Sequence, residues 1–596
     1  MVRARPVRIT LAAVTSCALI TPMAHAAPVP PPKAPEAIGY GGAVSSVDPD
    51  ATRAGIEVLR AGGTAADAAV AVAAALGVTE PYSAGIGGGG YFVHYDAGTG
   101  EVSTLDGRET APASAHPEMF LEDGEPIPAA EAITSGLGVG VPGTPATWEQ
   151  ALRRWGNEDL GEVLRPAERL ARDGFVVDDT FREQTAANQE RFSAFPATRD
   201  LFLPGGAPPA TGSTFRNPDL AATYRTLAAE GLDPLYRGEI GADVVEAVRN
   251  PPVDPAAGRT VRPGGMTADD LRDYRIEERD PTHVTYRGLD VYGMPPSASG
   301  GTTVGEALNI LEGTDLGALD EAQYLHRFLE ASKLGFADRN RWVADPAFGD
   351  VPTAELTGQE FADSRACLIT PDAVLPAPVA AADPGDPAPC APRPPERGGT
   401  PYEGPNTTHL TVADARGDVV SYTLTIEQTG GSGITVPGRG FLLNNELTDF
   451  SSTPAVPGEP DPNLPEPGKR PRSSISPTVV LRDGEPVLAV GSPGGATIIT
   501  TVLQVLTGRI DRGLPLVEAI ARPRASQRNA PSTEAEAAFL ALPEAEKLRA
   551  LGHELDPSAE IGAATGVERL PDGRWLAAAE PARRGGGAAE VVLPAP

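Results

Sequence analysis

Asn406-Thr407-Thr408-His409-Leu410-Thr411-Val412-Ala413-Asp414-Ala415-Arg416-Gly417-Asp418-Val419-Val420-Ser421-Tyr422-Thr423-Leu424 reads as a strand, a tight turn and a second strand. Apolar and β-branched residues flank Asp414-Ala415-Arg416-Gly417, a strong hairpin signal. Closing the turn between 414 and 417 sets Thr407 opposite about position 424, and one residue of play admits Thr423 or Thr425. What precedes the hairpin is of another kind. Pro376–Pro405 is Pro, Ala and Gly with scattered charge and almost nothing that builds a core. A loose tail thus runs directly into a threonine that opens a strand.

That junction has chemical meaning. A threonine hydroxyl is a poor nucleophile without a base, and one solution makes Thr the first residue of a chain so that its own α-amine takes the proton. Such an amine titrates near neutrality, at about 7.7 in model compounds, which suits general-base work. Cleavage at Asn406–Thr407, by attack of the Thr407 hydroxyl on the Asn406 carbonyl, would release it. Taken alone, a Thr-Thr pair opening a strand is an ordinary structural feature.

Four other stretches invite the same double reading. Gly491-Ser492-Pro493-Gly494-Gly495 precedes an apolar helix over 496–506, so its N–H groups can form an oxyanion site or simply a tight turn. Arg472-Ser473-Ser474-Ile475-Ser476-Pro477 offers hydroxyls to a carboxylate. Leu443-Asn444-Asn445-Glu446-Leu447-Thr448-Asp449 carries two carboxylates that can hold an ammonium group. Arg108, in Asp106-Gly107-Arg108-Glu109, can pair bidentately with a carboxylate or sit in a surface ion pair.

Upstream, Asp50–Ala61 reads as an amphipathic helix ended by Gly62-Gly63, and Thr64 caps an Ala-rich helix over Ala65–Gly77 that is suited to burial. Tyr91–Tyr95 and Val102–Leu105 form a second hairpin, covered by helices. Further helices are expected over Thr147–Trp155, Leu164–Asp173 and Ala322–Arg341. The chain has 596 residues, 49 basic against 80 acidic, for a net charge of −31. That field opposes binding to nucleic acid or anionic lipid. Arg3, Arg5 and Arg8, the apolar Ile9–Ile20 and Ala24-His25-Ala26 together read as a secretory signal cut after Ala26. A lipoprotein box around Cys17 is the rival reading. Past the signal, Cys367 and Cys390 remain, and export makes a disulfide between them reasonable. No metal motif such as HExxH or paired CxxC is present, and neither metal nor cofactor is expected.

Together, and in this order, these segments resemble the γ-glutamyltransferase (glutathione hydrolase) family from about Gly41 to about Glu580. Gly62–Val72, Gly87–Gly90, Arg108-Glu109 with Ala111-Pro112, Val141–Thr144, Met294–Gly301, Thr407–His409, Leu442–Asp449, Ser473–Thr478 and Gly491–Gly495 carry the match. The resemblance implies an α+β fold, a four-layer αββα sandwich of the N-terminal-nucleophile type shared by two fragments of one precursor. It implies a large fragment over 27–406 and a small one over 407–596, forming a heterodimer. Thr407 would be the nucleophile, Thr423 the hydroxyl bonded to it, and Gly494 and Gly495 the oxyanion donors. Arg108, Ser473 and Ser474 would hold the substrate α-carboxylate, and Glu446 and Asp449 its ammonium. The substrates implied are a γ-glutamyl donor such as glutathione, with water or an amine as acceptor.

Two departures stand out. Many members carry Asn where this chain has Thr425, a position tied to the substrate's amino end. Ser451–Arg470 is rich in Pro and lacks an aromatic residue, so an abbreviated, open lid is expected. A β-lactam side-chain acylase and a non-catalytic secreted binding protein are the alternatives. Glu446 with Asp449 argues against the first, and the presence of Thr407 and the glycine pair against the second.

Overall fold

The computed structural model describes residues 1, 29–387, 390, 403–404, 406–454, 458 and 461–595. The signal segment, the Cys17 box and most of 388–405 therefore lie outside the described residues.

Thirteen strands form one sheet. They are β1 (Glu36–Ser46), β2 (Gly89–Asp96), β3 (Glu101–Gly107), β4 (Glu277–Arg279), β5 (Thr282–Tyr286), β6 (Leu289–Gly293) and β7 (Thr408–Asp414). The rest are β8 (Val419–Thr425), β9 (Thr478–Arg482), β10 (Glu485–Gly491), β11 (Thr565–Arg569), β12 (Trp575–Ala579) and β13 (Ala588–Pro594). The order is β4-β3-β2-β8-β7-β1-β12-β11-β10-β9-β6-β5, with β13 also on β1. Every pairing within it is antiparallel. With helices packed against it, the fold is α+β.

The helices begin where the caps indicate. Asp48 accepts the Ala51 N–H at the start of α1 (Pro49–Ala61), and Gly62, at φ 99°, ends it. Thr64 and Asp67 form a reciprocal capping box on α2 (Ala65–Thr79), every residue of which is buried. Downstream come α3 (Gly300–Glu312), α4 (Glu321–Trp342) and α5 (Thr497–Ile510). Cys367 and Cys390 are joined in a disulfide, their Cα atoms 5.3 Å apart.

Side chains alternate faces along a strand, and here the alternation separates core from chemistry. Leu410, Val412, Val420, Tyr422 and Leu424 pack into the core that contains α1 and α2. His409, Thr411, Ser421 and Thr423 point the other way and are buried too. On that polar face Ser421 Oγ reaches Val490 O at 3.3 Å, and a Cβ on Gly491 would collide with the His409 ring. Strands β7 and β8 therefore meet β10 face to face, with polar groups between them.

Candidate active site

The β7–β8 register pairs Thr408 with Leu424 and His409 with Thr423. It is one residue later than a turn closed at 414–417 would give. Gly417 takes φ 101°, adding a residue to the loop, and Asp414 Oδ1 accepts the N–H groups of Arg416, Gly417 and Asp418. Thr407 therefore continues the ladder opposite Thr425. This corrects two expectations. The Thr423 hydroxyl lies 2.7 Å from His409 Nδ1, whereas Thr425 Oγ1 donates to the Asn406 carbonyl oxygen at 2.9 Å. The hydroxyl beside the Asn406–Thr407 peptide is therefore Thr425 where Thr423 was expected, and Thr425, expected at a substrate's amino end, is engaged at this peptide instead.

The Asn406–Thr407 peptide is held from both sides. Asn406 Oδ1 accepts from Ser83 Oγ at 3.0 Å and from Arg584 Nη2 at 2.7 Å, and its Nδ2 donates to Tyr82 O at 2.8 Å. Arg584 Nη1 donates to Thr407 O at 2.8 Å. Thr407 is only 3% exposed. Burial holds the neighbouring His409 at about 3, so its ring stays neutral.

Gly494 and Gly495 adopt φ 136° and 55° just ahead of α5. A Cβ on Gly495 would run into the carbonyl oxygen of Gly404 and lie 3.2 Å from that of Glu403. The chain that leads to Asn406–Thr407 thus lies directly over Gly495. Asn406, Gly494, Glu403, Arg339 and Arg584 line a common cavity of about 920 Å³.

Arg108 is fully buried and ion-paired with Glu446 and, at 2.5 Å, with Asp449. Its Nε and Nη2 also donate to Pro471 O and Arg472 O, each at 3.3 Å. The two acids expected to hold an ammonium and the arginine expected to hold a carboxylate thus bind each other. Although burial works against the cation, Glu446 and Asp449 keep the guanidinium firmly charged. Burial, with Glu446 beside it, pushes Glu109 well above the carboxylate range, and a Glu109 that keeps its proton donates to Glu446. Burial also lifts Asp449, and it lifts Glu427 to about 8. Glu427 accepts from the Gly404 N–H and from Asn445 Nδ2.

Ser473 is fixed by its backbone: Ser299 N and Oγ donate to its carbonyl at 2.6 and 2.7 Å. That gives the Met294–Gly301 motif a supporting role. Ser474 Oγ accepts from Arg339 Nη2 at 2.8 Å. In the described part of Ser451–Arg470, where an open lid was expected, Asn463 bridges Asp449 O and Arg472 N at 2.8 and 2.9 Å. Among the described residues one group, His326, Glu330 and His553, has ligand atoms close enough for a metal. Its atoms are already engaged: His326 bonds His553 and Thr370 O, and Glu330 bonds Lys333 and Leu375 N.

Of the expected residues Gly494 lines the cavity, Ser474 bonds the cavity-lining Arg339, and Arg108, Glu446 and Asp449 form one buried cluster, whereas Thr423 lies with His409; the structure adds Arg339, Glu403, Glu427 and Arg584. Only Glu427 carried a usable signal, being two residues beyond Thr425 and so on the same face. Arg339 sits mid-helix, Glu403 in a stretch with no pattern, and Arg584 in a Gly-flanked turn far along the chain.

The family profile for Gamma-glutamyltranspeptidase matches residues 51–590. The chain is 39% identical over 517 residues to a glutathione hydrolase proenzyme of Bacillus subtilis (strain 168), covering 84% of each chain. It is 36% identical over 607 residues to the glutathione hydrolase proenzyme of Escherichia coli (strain K12), covering 96% of this chain and 97% of that one. Its fold is similar to the crystal structure of a cephalosporin acylase from Bacillus halodurans, with TM-score 0.79 at 27% identity over 96% of this chain and 99% of the other.

Proposed function

The chain belongs to the gamma-glutamyltranspeptidase family, and from that premise we propose that it is a secreted, self-processing γ-glutamyl hydrolase and transferase with Thr407 as its nucleophile. The observation that carries the reading is the grip of Thr425 and Arg584 on the Asn406–Thr407 peptide at the mouth of a cleft lined by both signs of charge.

In maturation the Thr407 Oγ attacks the Asn406 carbonyl carbon, with the Thr425 hydroxyl polarising the oxygen, and the C–N bond breaks as an ester forms. Water hydrolyses the ester, leaving the Asn406 carboxylate and the free α-amine of Thr407. The products are a large fragment, 27–406, and a small one, 407–596, which stay together as a heterodimer in a four-layer αββα sandwich. In turnover that amine takes the Oγ proton while Oγ attacks the γ-amide carbonyl. The N–H groups of Gly494 and Gly495 face the developing oxyanion. The proton passes to the leaving amine, and water or an amino acid or peptide amine then takes the acyl group from Thr407.

Substrate recognition follows from the closed ion pairs. A γ-glutamyl group brings one carboxylate and one ammonium, and both find partners when the Arg108 pairs open. The carboxylate takes Arg108, Ser473 and Ser474; the ammonium takes Glu446 and Asp449, with Glu427 alongside. Every charge named keeps a partner of opposite sign, so insertion of the zwitterion leaves no lone charge behind. The acylase reading draws support from the cephalosporin acylase likeness, but an acylase has no need of this acidic pocket. The Cys367–Cys390 disulfide is in keeping with export after removal of the signal at Ala26.

Mass and N-terminal sequencing of purified protein after incubation at neutral pH tests the reading. A small fragment beginning at Thr407, missing from Thr407→Ala, is expected together with release of p-nitroaniline from its γ-glutamyl anilide. A chain that stays intact, or is cut elsewhere, would rule out Thr407.

A further inference from the structure

A second buried guanidinium has a counter-charge that is temporary. Arg339, on α4, is 3% exposed. Its Nε donates to Ser299 Oγ at 2.8 Å, its Nη1 to Asn340 Oδ1 at 2.9 Å, and its Nη2 to Ser474 Oγ at 2.8 Å and to the Glu403 carboxylate. Among the described residues Glu403 is the one carboxylate paired with Arg339. Against the cost of burial, Arg339 and Arg472 together hold the Glu403 carboxyl below its ordinary value. Arg472 itself is buried, and its guanidinium donates to the Asn340 and Val343 carbonyls.

Glu403 belongs to the segment that cleavage after Asn406 sets free. Its carbonyl oxygen lies against Gly495, and its side-chain carboxylate lies in the Arg339–Ser474 pocket. In a glutamyl residue four bonds separate the backbone carbonyl carbon from the side-chain carboxyl carbon. In a γ-glutamyl amide four bonds separate the γ-carbonyl carbon from the α-carboxyl carbon. The two share their reach and their terminal charge. Once 403–406 withdraws, two buried guanidiniums and a serine hydroxyl are left facing a gap, and an unpaired buried cation costs several kcal/mol.

We propose that Glu403 is a built-in stand-in for the donor, and that Arg339, with Ser474, binds the donor's α-carboxylate after the tail leaves. Arg108 faces the same carboxylate from the ammonium side of the cleft, so two arginines bracket it. This rests on the γ-glutamyl reading above.

The test compares two chromogenic donors on matured enzyme, γ-glutamyl-p-nitroanilide and 4-aminobutyryl-p-nitroanilide, which differ only in the α-carboxylate. For Arg339→Gln the kcat/KM preference for the carboxylate-bearing donor should fall about 30-fold or more, carried by KM, because a hydrogen-bonded charge contact is lost. Arg339→Lys should recover part of it. Equal losses on both donors would mean that Arg339 only supports the fold, and would overturn the proposal. A wild type inactive on the γ-glutamyl donor would instead defeat the parent reading. Should Arg339→Gln fail to mature, the uncleaved Thr407→Ala protein gives a second measurement. There Glu403→Ala removes the Cγ methylene and the carboxylate and leaves a gap shaped like acetate, so acetate should raise its melting temperature and acetamide should not. No difference between the two would overturn the stand-in.

Discussion

Arg108 and Arg339 are both buried guanidiniums, and they differ in where their counter-charges come from. Arg108 is matched by Glu446 and Asp449, which are fixed in the framework of the mature fragment. Arg339 is matched by Glu403, four residues before Thr407. Burying a cation is tolerable only while a partner is present, so the origin of each partner tells what each cation is for. On the proposed function the first pairing would wait for a zwitterion, and the second would be dissolved by maturation itself.

Breaking the permanent pairing should have the largest effect. Arg108→Met leaves Glu446 and Asp449 buried beside Glu109 and Glu427 with no cation between them. In the uncleaved Thr407→Ala background it should cost about 4 kcal/mol in urea denaturation, in the range for removing one member of a buried pair. A loss under about 1 kcal/mol would mean that the acids simply take up protons, and the contrast between the two arginines would collapse.

The temporary pairing should show itself by depending on cleavage. Glu403→Gln keeps the shape but removes the charge facing Arg339, and should destabilise the uncleaved form by about 3 kcal/mol. In the matured protein, where 403–406 has left the pocket, the same substitution should shift stability by less than about 0.5 kcal/mol, as surface changes do. Equal costs in both forms would show that the tail stays seated after cleavage.

The contrast between these arginines also marks where sequence reasoning reaches and where it stops. Helices α1 and α2 were legible because their caps are local: Asp48, Thr64 with Asp67, and Gly62 act within a turn of themselves. The β7–β8 hairpin was legible, but its register slipped by one because Gly417 lengthens the turn, so Thr407 falls opposite Thr425 where about 424 was expected. Arg108, Glu446, Asp449 and the glycine pair were found through motifs in strand ends and turns. Arg339 was invisible: it is 64 residues from Glu403, and nothing around position 339 in α4 marks it as more than a helical arginine. Glu403 sits where Pro and Gly read as slack chain, and only tertiary structure gives it a partner.

The same rule has a third setting, a buried base with no counter-charge. His94, on β2, is 1% exposed, and neither ring nitrogen finds a hydrogen-bond partner among the described residues. Its ring stacks on Trp155, with centroids 4.2 Å apart and planes 10° from parallel. Burial holds it at about 3, against an ordinary 6.5, so it stays neutral where the unfolded chain takes up a proton. A depressed value contributes stability that is complete above 6.5 and is lost progressively as pH falls toward 3. Between pH 7.5 and pH 5 this one residue should cost about 2 kcal/mol, taking 1.36 kcal/mol per pH unit below the unfolded value. His94→Phe keeps the stacked ring and removes the titration, so uncleaved protein carrying it should lose about that much less than its parent over the same range. His409 and His553, also held at about 3, are common to both proteins and cancel. Parallel pH profiles would mean that His94 finds a partner for its proton after all, and that burial without a counter-charge does not by itself decide which groups in this protein stay neutral.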